Sequence, residues 1–546
     1  MTTGFITVHV RMYLSSASRK YGLERERVRL PFPERVPLLY AVGFAVLLCG
    51  IQLIQGTDPA FTLCFFLFVV IAAFTFNLAG GFTRPSGGYV FFYSTLAVIV
   101  GVFWKACIGE RADSNLTQPL LTMEAILGGM VAMSFAVFVS RKLARRRPIL
   151  PNLNNEDLLQ ACIGCVLVGL PLTVIILTVP REDGSVLSAL SQLNGFLPLA
   201  MILGVIYEIR KSGGTRSVNF PVLISGVTIF FIGIVNFSKT GMFSPLLCWA
   251  VAAASQRYKF TFYKVMGFLL ITFYTTYYLV PYSQYGRNFK VFASTEAETG
   301  TNLSPANAFL QNMETGFSLL SQPEFVRQQS HQNDAPVRVE GIPAYFDTPQ
   351  GIFDRIQMVA IDDAVINVTE QRGPLGLWPI VYAFENNVPH FLWPGKPAIK
   401  LGNFYAHEIG MIGPEDTSTG ISFSPIGEGF HVARWVGILL ILPALWIVLF
   451  TLFDSLCGDI RTYPWGLLVL VIFGNLAPEG GLSGIIYMFW FSTISVIFAA
   501  LAAIYIMPLL GYIATGTKGV RLRRIPTVRS IPRRLPPARP SENSGQ

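Results

Sequence analysis

Apolar residues run along this chain in long blocks separated by short polar connections. About twelve blocks approach the roughly 17 to 25 residues that a helix needs to cross a bilayer core. They cover approximately 37–54, 60–80, 88–104, 120–140, 158–179, 186–209, 218–236, 242–255, 262–281, 434–453, 464–478 and 482–507, the eighth and eleventh being the shortest. Unpaired backbone polar groups are not tolerated in hydrocarbon, so each block is expected to be a helix. The expected fold class is an all-α polytopic membrane protein with about twelve transmembrane helices.

Composition agrees with that pattern. The 546 residues are 52% hydrophobic and 13% charged, against about 25% charged for a soluble domain. Positive charge collects in "RKLARRR" (141–147), "RKSGGTR" (210–216), "QRYK" (256–259), Arg461 and the tail "KGVRLRRIPTVRSIPRRLPPAR" (518–539). With twelve helices counted, all of these fall on one side, and positive loops stay in the cytoplasm. Both termini are therefore expected to be cytoplasmic (N-in/C-in). The opposite connections, "QGTDP" (55–59), "PREDG" (180–184) and "PEGG" (478–481), are poor in positive charge. The net charge of +9 comes largely from the tail, which holds eight Lys and Arg. It reads as a topology signal and an anionic-lipid contact, so no nucleic-acid partner is expected. No cleavable signal peptide is seen, and the first helix is expected to act as an anchor.

The resulting organisation is a cytoplasmic segment at 1–36, nine helices over 37–281, one large external loop at 282–433, three helices over 434–507 and a basic, disordered cytoplasmic tail at 508–546. The loop has no cysteine. Cys162 and Cys165, inside an apolar block, read as small packing residues. Within the loop, Ser304 before Pro305 is a helix start, and Phe309, Met313, Phe317 and Leu320 follow at helical spacing. A second helix is expected over 351–369, with Ile352, Ile356 and Val359 on one face and Arg355 and Asp362 on another. Long ordered loops are usually functional. This one is expected to cap the outer membrane surface, with Arg287, Lys290, Arg355, Arg372, Lys396, Lys400 and Arg434 among His390, His407, His431, Glu408 and Glu428. Such a mixture suits an anionic ligand beside a protonatable group.

The stretches "NFSKTGMFSPLLCW" (236–249), "FDRIQMVAIDDAVINVT" (353–369), "VPHFLWPGKP" (388–397) and "TGISFSPIGEGF" (419–430), in that order around one large loop, resemble the bacterial polysaccharide repeat-unit polymerases, the Wzy-type O-antigen polymerases. The similarity covers about 218–453. It implies a GT-C-like helical build in the bacterial inner membrane. It also implies transfer of a growing glycan from undecaprenyl pyrophosphate onto another lipid-linked repeat unit, in O-antigen, capsule or exopolysaccharide synthesis. Implied partners are the undecaprenyl-pyrophosphate-linked donor and acceptor, membrane lipids, and flippase and chain-length regulator proteins.

Pyrophosphate is already a good leaving group and needs mainly positive charge to receive it. Arg355 and Arg372 are the first candidates, with Lys239, Arg287 and Lys396 beside them and Trp393 at the glycan. The acceptor hydroxyl must lose a proton to a base; His407, His431, Glu408 and Glu428 are the candidates, with His407 slightly ahead. Each has a plainer reading: Lys239 as a snorkelling end residue, Arg355 and Asp362 as a surface pair, Trp393 as an interfacial anchor. No cofactor or metal is expected, since the chain has no Asp-x-Asp, His-x-x-x-His or Walker pattern. Two rivals remain. An O-antigen ligase would share the donor, and a transporter would show internal repeats and mid-membrane charges.

Overall fold

The computed structural model describes residues 28–180, 186–290, 304–333, 344–354, 356–388, 392, 393, 395, 396, 399–416 and 420–516. Arg355, His390 and residues 517–546 of the basic tail lie outside them; the first residues of that tail, expected to be disordered, instead continue in a helix at Met507–Thr515. Among the described residues the protein is almost wholly helical. A two-residue strand β1 (Val28–Arg29) is followed by α1 (Leu38–Ile54), α2 (Pro59–Ala79), α3 (Pro85–Ile108), α4 (Pro119–Leu143), α5 (Leu158–Thr178), α6 (Val186–Leu193), α7 (Phe196–Lys211), α8 (Phe220–Val235) and α9 (Lys239–Ser255). Strand β2 (Lys259–Phe260) pairs antiparallel with β1. Then come α10 (Phe262–Phe289), α11 (Pro305–Leu320), α12 (Pro323–Asn333), α13 (Val359–Arg372), α14 (Trp378–Asn386), α15 (Leu401–Glu408), α16 (Pro425–Cys457), α17 (Trp465–Glu479), α18 (Gly481–Tyr505) and α19 (Met507–Thr515).

Seven of these, α2, α3, α4, α5, α10, α16 and α18, are long and apolar enough to cross a membrane, and α1, α8 and α17 are shorter apolar helices. Their ends follow local chemistry. Asp58 caps α2 by accepting from the amides of Ala60 and Phe61, Pro59 occupies the first helical position, and Gly80 closes the helix in the left-handed region. Where helices meet closely, glycines make room: a Cβ on Gly164 would lie 2.1 Å from the Met507 carbonyl and one on Gly511 2.2 Å from that of Gln160. The two backbones of α5 and α19 touch through these small residues.

Three expected elements change. The block at 186–209 breaks at Asn194–Gly195 into α6 and α7. The tenth apolar block gains a leg: α16 starts at Pro425, capped by Ser424, and leaves helical geometry only at Ala433 and Arg434 before continuing. The helix expected over 351–369 starts at Val359, because 345–354 and 356–358 are drawn onto α3. Trp104 stacks on Phe353 with centroids 3.8 Å apart, and the Met358 amide donates to the Ala97 carbonyl at 2.8 Å. The Ala97 carbonyl lies in a π-turn that spans Tyr93–Ile99.

Backbone and side-chain bonds gather the basic connections at one end of the bundle. The Ile149 amide bonds the Ser455 carbonyl and the Lys259 amide that of Gly214; Arg210 bonds Gln256, and Arg461 pairs with Glu34 and Asp459. At the other end, Asp113 accepts from the Asp58 amide and Asn115 donates to Asp347. The segment around Tyr345 and Asp347 and helix α13 attach there. Asp363 fastens the helix by accepting from the amides of Thr117 and Gln118 at 2.6 and 2.8 Å and the Thr122 hydroxyl at 2.9 Å, which caps the start of α4. Asp363→Ala would leave the amides of Thr117 and Gln118 and the buried Thr122 hydroxyl without this acceptor and is expected to cost about 2 kcal/mol, read as earlier thermal unfolding in detergent.

Candidate functional site

Helix α13 packs against the first leg of α16 and against α4. Asp362 and Thr369 stand seven residues apart, so both face α16. The Ser424 hydroxyl donates to Asp362 Oδ2 at 2.6 Å while accepting from the amides of Ile426 and Gly427. Seven residues beyond Ser424, His431 Nδ1 meets the Thr369 hydroxyl at 2.7 Å. That hydroxyl also bonds the Val365 carbonyl at 2.7 Å. Its single proton serves the carbonyl, which leaves its oxygen to accept from Nδ1.

The other ring nitrogen points outward. His431 Nε2 lies 3.0 Å from Glu408 Oε2; with Nδ1–H given to Thr369, this bond needs a second ring proton, so the pair is an imidazolium donating to a carboxylate, and the Tyr405 ring packs edge-on against the imidazole. Tyr405 donates to Glu428 Oε1 at 2.9 Å; burial pushes its phenol far up, so it stays protonated. Glu428 Oε2 accepts from the Leu482 amide at 2.6 Å. This bond anchors the break between α17 and α18, where Gly481 has φ of 62°. Thr369, His431 and Glu408 thus form one hydrogen-bonded set and Tyr405, Glu428 and the Leu482 amide another, and the two meet at the Tyr405–His431 ring contact.

Only part of the group can meet a ligand. The His431 side chain is 1% exposed and that of Glu408 16%; Glu428 is buried with both oxygens satisfied. Glu408 and His407 edge an open groove of about 550 Å³ that is also lined by Ile399, Lys400, Asn403 and Phe404. His407 Nε2 lies 2.9 Å from the Asp416 carbonyl, which can only accept. That nitrogen therefore carries the proton, and Nδ1 alone is left as a base. Arg372 reaches the Glu408 carbonyl at 3.3 Å from the same rim.

The remaining expected ligands scatter. Lys396 donates to the carbonyls of Asn386 and Val388 at 2.7 and 2.8 Å, holding the end of α14, and Trp393 is exposed. Arg287 donates to the Phe237 carbonyl, and Lys239 opens α9; both act electrostatically on Glu479, three residues before Leu482. The expected surface pair of Arg355 and Asp362 is corrected in one member: Asp362 is buried at 1% exposure and bonds Ser424, while Arg355 lies outside the described residues. Sequence reading missed Thr369, Tyr405 and Asn403. The seven-residue spacing of Asp362 and Thr369, and of Ser424 and His431, was the available signal. Among the described residues no three of His, Cys, Asp or Glu gather as metal ligands. No protein-family model, curated protein or solved structure matches this chain.

Proposed function

We propose that this chain is a membrane glycosyltransferase that polymerises undecaprenyl-pyrophosphate-linked oligosaccharide repeat units. In this reading it crosses the bacterial inner membrane about twelve times in a GT-C-like build, with the basic end in the cytoplasm and the groove at the outer face. The observation that carries the proposal is Glu408: a carboxylate on the wall of an open groove, hydrogen-bonded behind to a buried His431 that is itself fixed by Thr369. A base held by an orienting partner is what removal of a proton from a sugar hydroxyl requires.

The acceptor oxygen attacks the anomeric carbon of the donor glycan and forms the new glycosidic bond. The bond from that carbon to the pyrophosphate oxygen breaks, and the carrier leaves as the pyrophosphate. The hydroxyl proton passes to Glu408, where the bond to His431 stabilises the charge change. Lys400 on the groove wall and Arg372 at its rim are the cations placed to balance the leaving group. The energy comes from the sugar–phosphate bond.

The test is deletion of the gene followed by sizing of lipid-linked and surface glycans, with complementation by the natural chain and by Lys400→Ala. Loss of long chains with single repeat units accumulating is the expected result, and Lys400→Ala should restore no long chains. Bare lipid A with polymer still on the carrier would mark a ligase instead. Unchanged chain lengths would refute the proposal.

A further inference from the structure

Asp362 and Asp363 are neighbours on α13 with opposite surroundings. Asp363 accepts from three donors, a setting made for an anion. Asp362 is equally buried, yet Oδ2 has one donor, Ser424, and Oδ1 has no hydrogen-bond partner and no access to solvent. Oδ1 is pressed against α16: a Cβ added at Gly427 would fall 2.2 Å from it. A second buried polar atom without a partner, the hydroxyl of Tyr93 on the π-turn of α3, lies within electrostatic reach of Asp362 and beside Ser424. A bare carboxylate oxygen in such a place is costly, whereas protonation removes the uncompensated charge from the buried Oδ1.

The position of Asp362 gives this a consequence. Through Ser424 it seats α13 on the start of α16, and Thr369, on the same face, then meets His431, which holds Glu408. We infer that Asp362 is a positioning residue, held as the neutral acid, whose proton keeps α13 seated on α16 and so keeps the His431–Glu408 pair aligned in the groove. The inference rests on the proposed function for its catalytic meaning, though the seating itself can be measured without any activity.

Burial raises the Asp362 carboxyl to about 7, with the Asp363 charge adding to the rise and Ser424 opposing it. The other titratable group on a facing element that it acts on is Tyr93 on α3, and the leg of α16 packed against α13 carries Glu428 and His431. The carboxyl of the seated state is above that of a free aspartate. Seating is therefore fully supported below the free value and lost progressively as pH rises through about 7.

Hydrogen exchange over 359–372 in the purified full-length protein, normalised to the intrinsic rate at each pH, reads the seating directly. Protection is expected to fall about tenfold per pH unit between roughly pH 5 and 6.5 and to level off above about 7. Asp362→Asn keeps an acceptor for Ser424 and supplies permanent donors; its protection should be high and independent of pH, and polymer length in cells should be retained. Asp362→Ala, with no bond to Ser424, should lose protection at every pH. A flat profile in the natural chain, or the same slope in Asp362→Asn, would overturn the inference. If the exchange behaves as stated while glycan length never responds to any variant, the polymerase reading fails and the seating role stands.

Discussion

Glu408→Gln is expected to abolish long-chain glycan while the protein inserts and folds normally. Glutamine keeps the shape of the side chain and an oxygen toward His431 Nε2, at the 3.0 Å where the carboxylate now sits, but it cannot take up a proton. General-base catalysis contributes about 10² to 10⁴ in rate, so transfer measured with lipid-linked repeat units in membranes should fall by at least about a hundredfold. Thermal unfolding should hardly move, since the side chain is only partly buried and its partner remains. His431→Gln should lower activity less, because it removes the orienting group and leaves the carboxylate in the groove. A Glu408→Gln protein with normal transfer would remove Glu408 as the base and bring His407 Nδ1 forward, the other titratable group on the groove wall.

Gly481→Ala is expected to have a large effect for a single methyl group. Gly481 sits at φ of 62°, a region that costs a β-carbon of order 1–2 kcal/mol. The added carbon would also lie 2.0 Å from Glu428 Oε2. Either the carboxylate leaves the Leu482 amide, orphaning a buried charge, or the break between α17 and α18 opens. The combined cost is about 2–5 kcal/mol, seen as earlier unfolding in detergent together with loss of polymer. Gly484→Ala, three residues on, has nothing within 4 Å of its added carbon and should be neutral or slightly stabilising in its helix. Equal behaviour of the two variants would show that the Glu428–Leu482 contact carries no structural weight.

The distinction between these two glycines is not visible in "APEGGLSG" itself. Both follow an apolar block, and only the carboxylate arriving from α16 separates them. The start of α16 illustrates the same limit. Hydropathy places the tenth block at 434, since Glu428, His431 and Arg434 are polar; the structure starts the helix at Pro425 because Ser424 caps it and α13 covers its polar face. Likewise Ile352 and Ile356 read as helical, yet stacking on Trp104 and the bond to Ala97 hold that segment on α3.

What the sequence determined by itself is the helical, membrane-type class of the chain and the approximate bounds of its apolar helices. Those follow from length, hydropathy and end signals such as Asp58–Pro59 and Ser304–Pro305, which act within a few residues. Tertiary structure decided which polar residues of the large loop belong together. Glu408, Glu428 and His431 carry no mark that separates them from Lys396 or Trp393, because burying a charged side chain is favourable only where another element supplies its hydrogen-bond partners. Those partners, Thr369, Tyr405 and the Leu482 amide, come from three different elements that only the fold brings to one place.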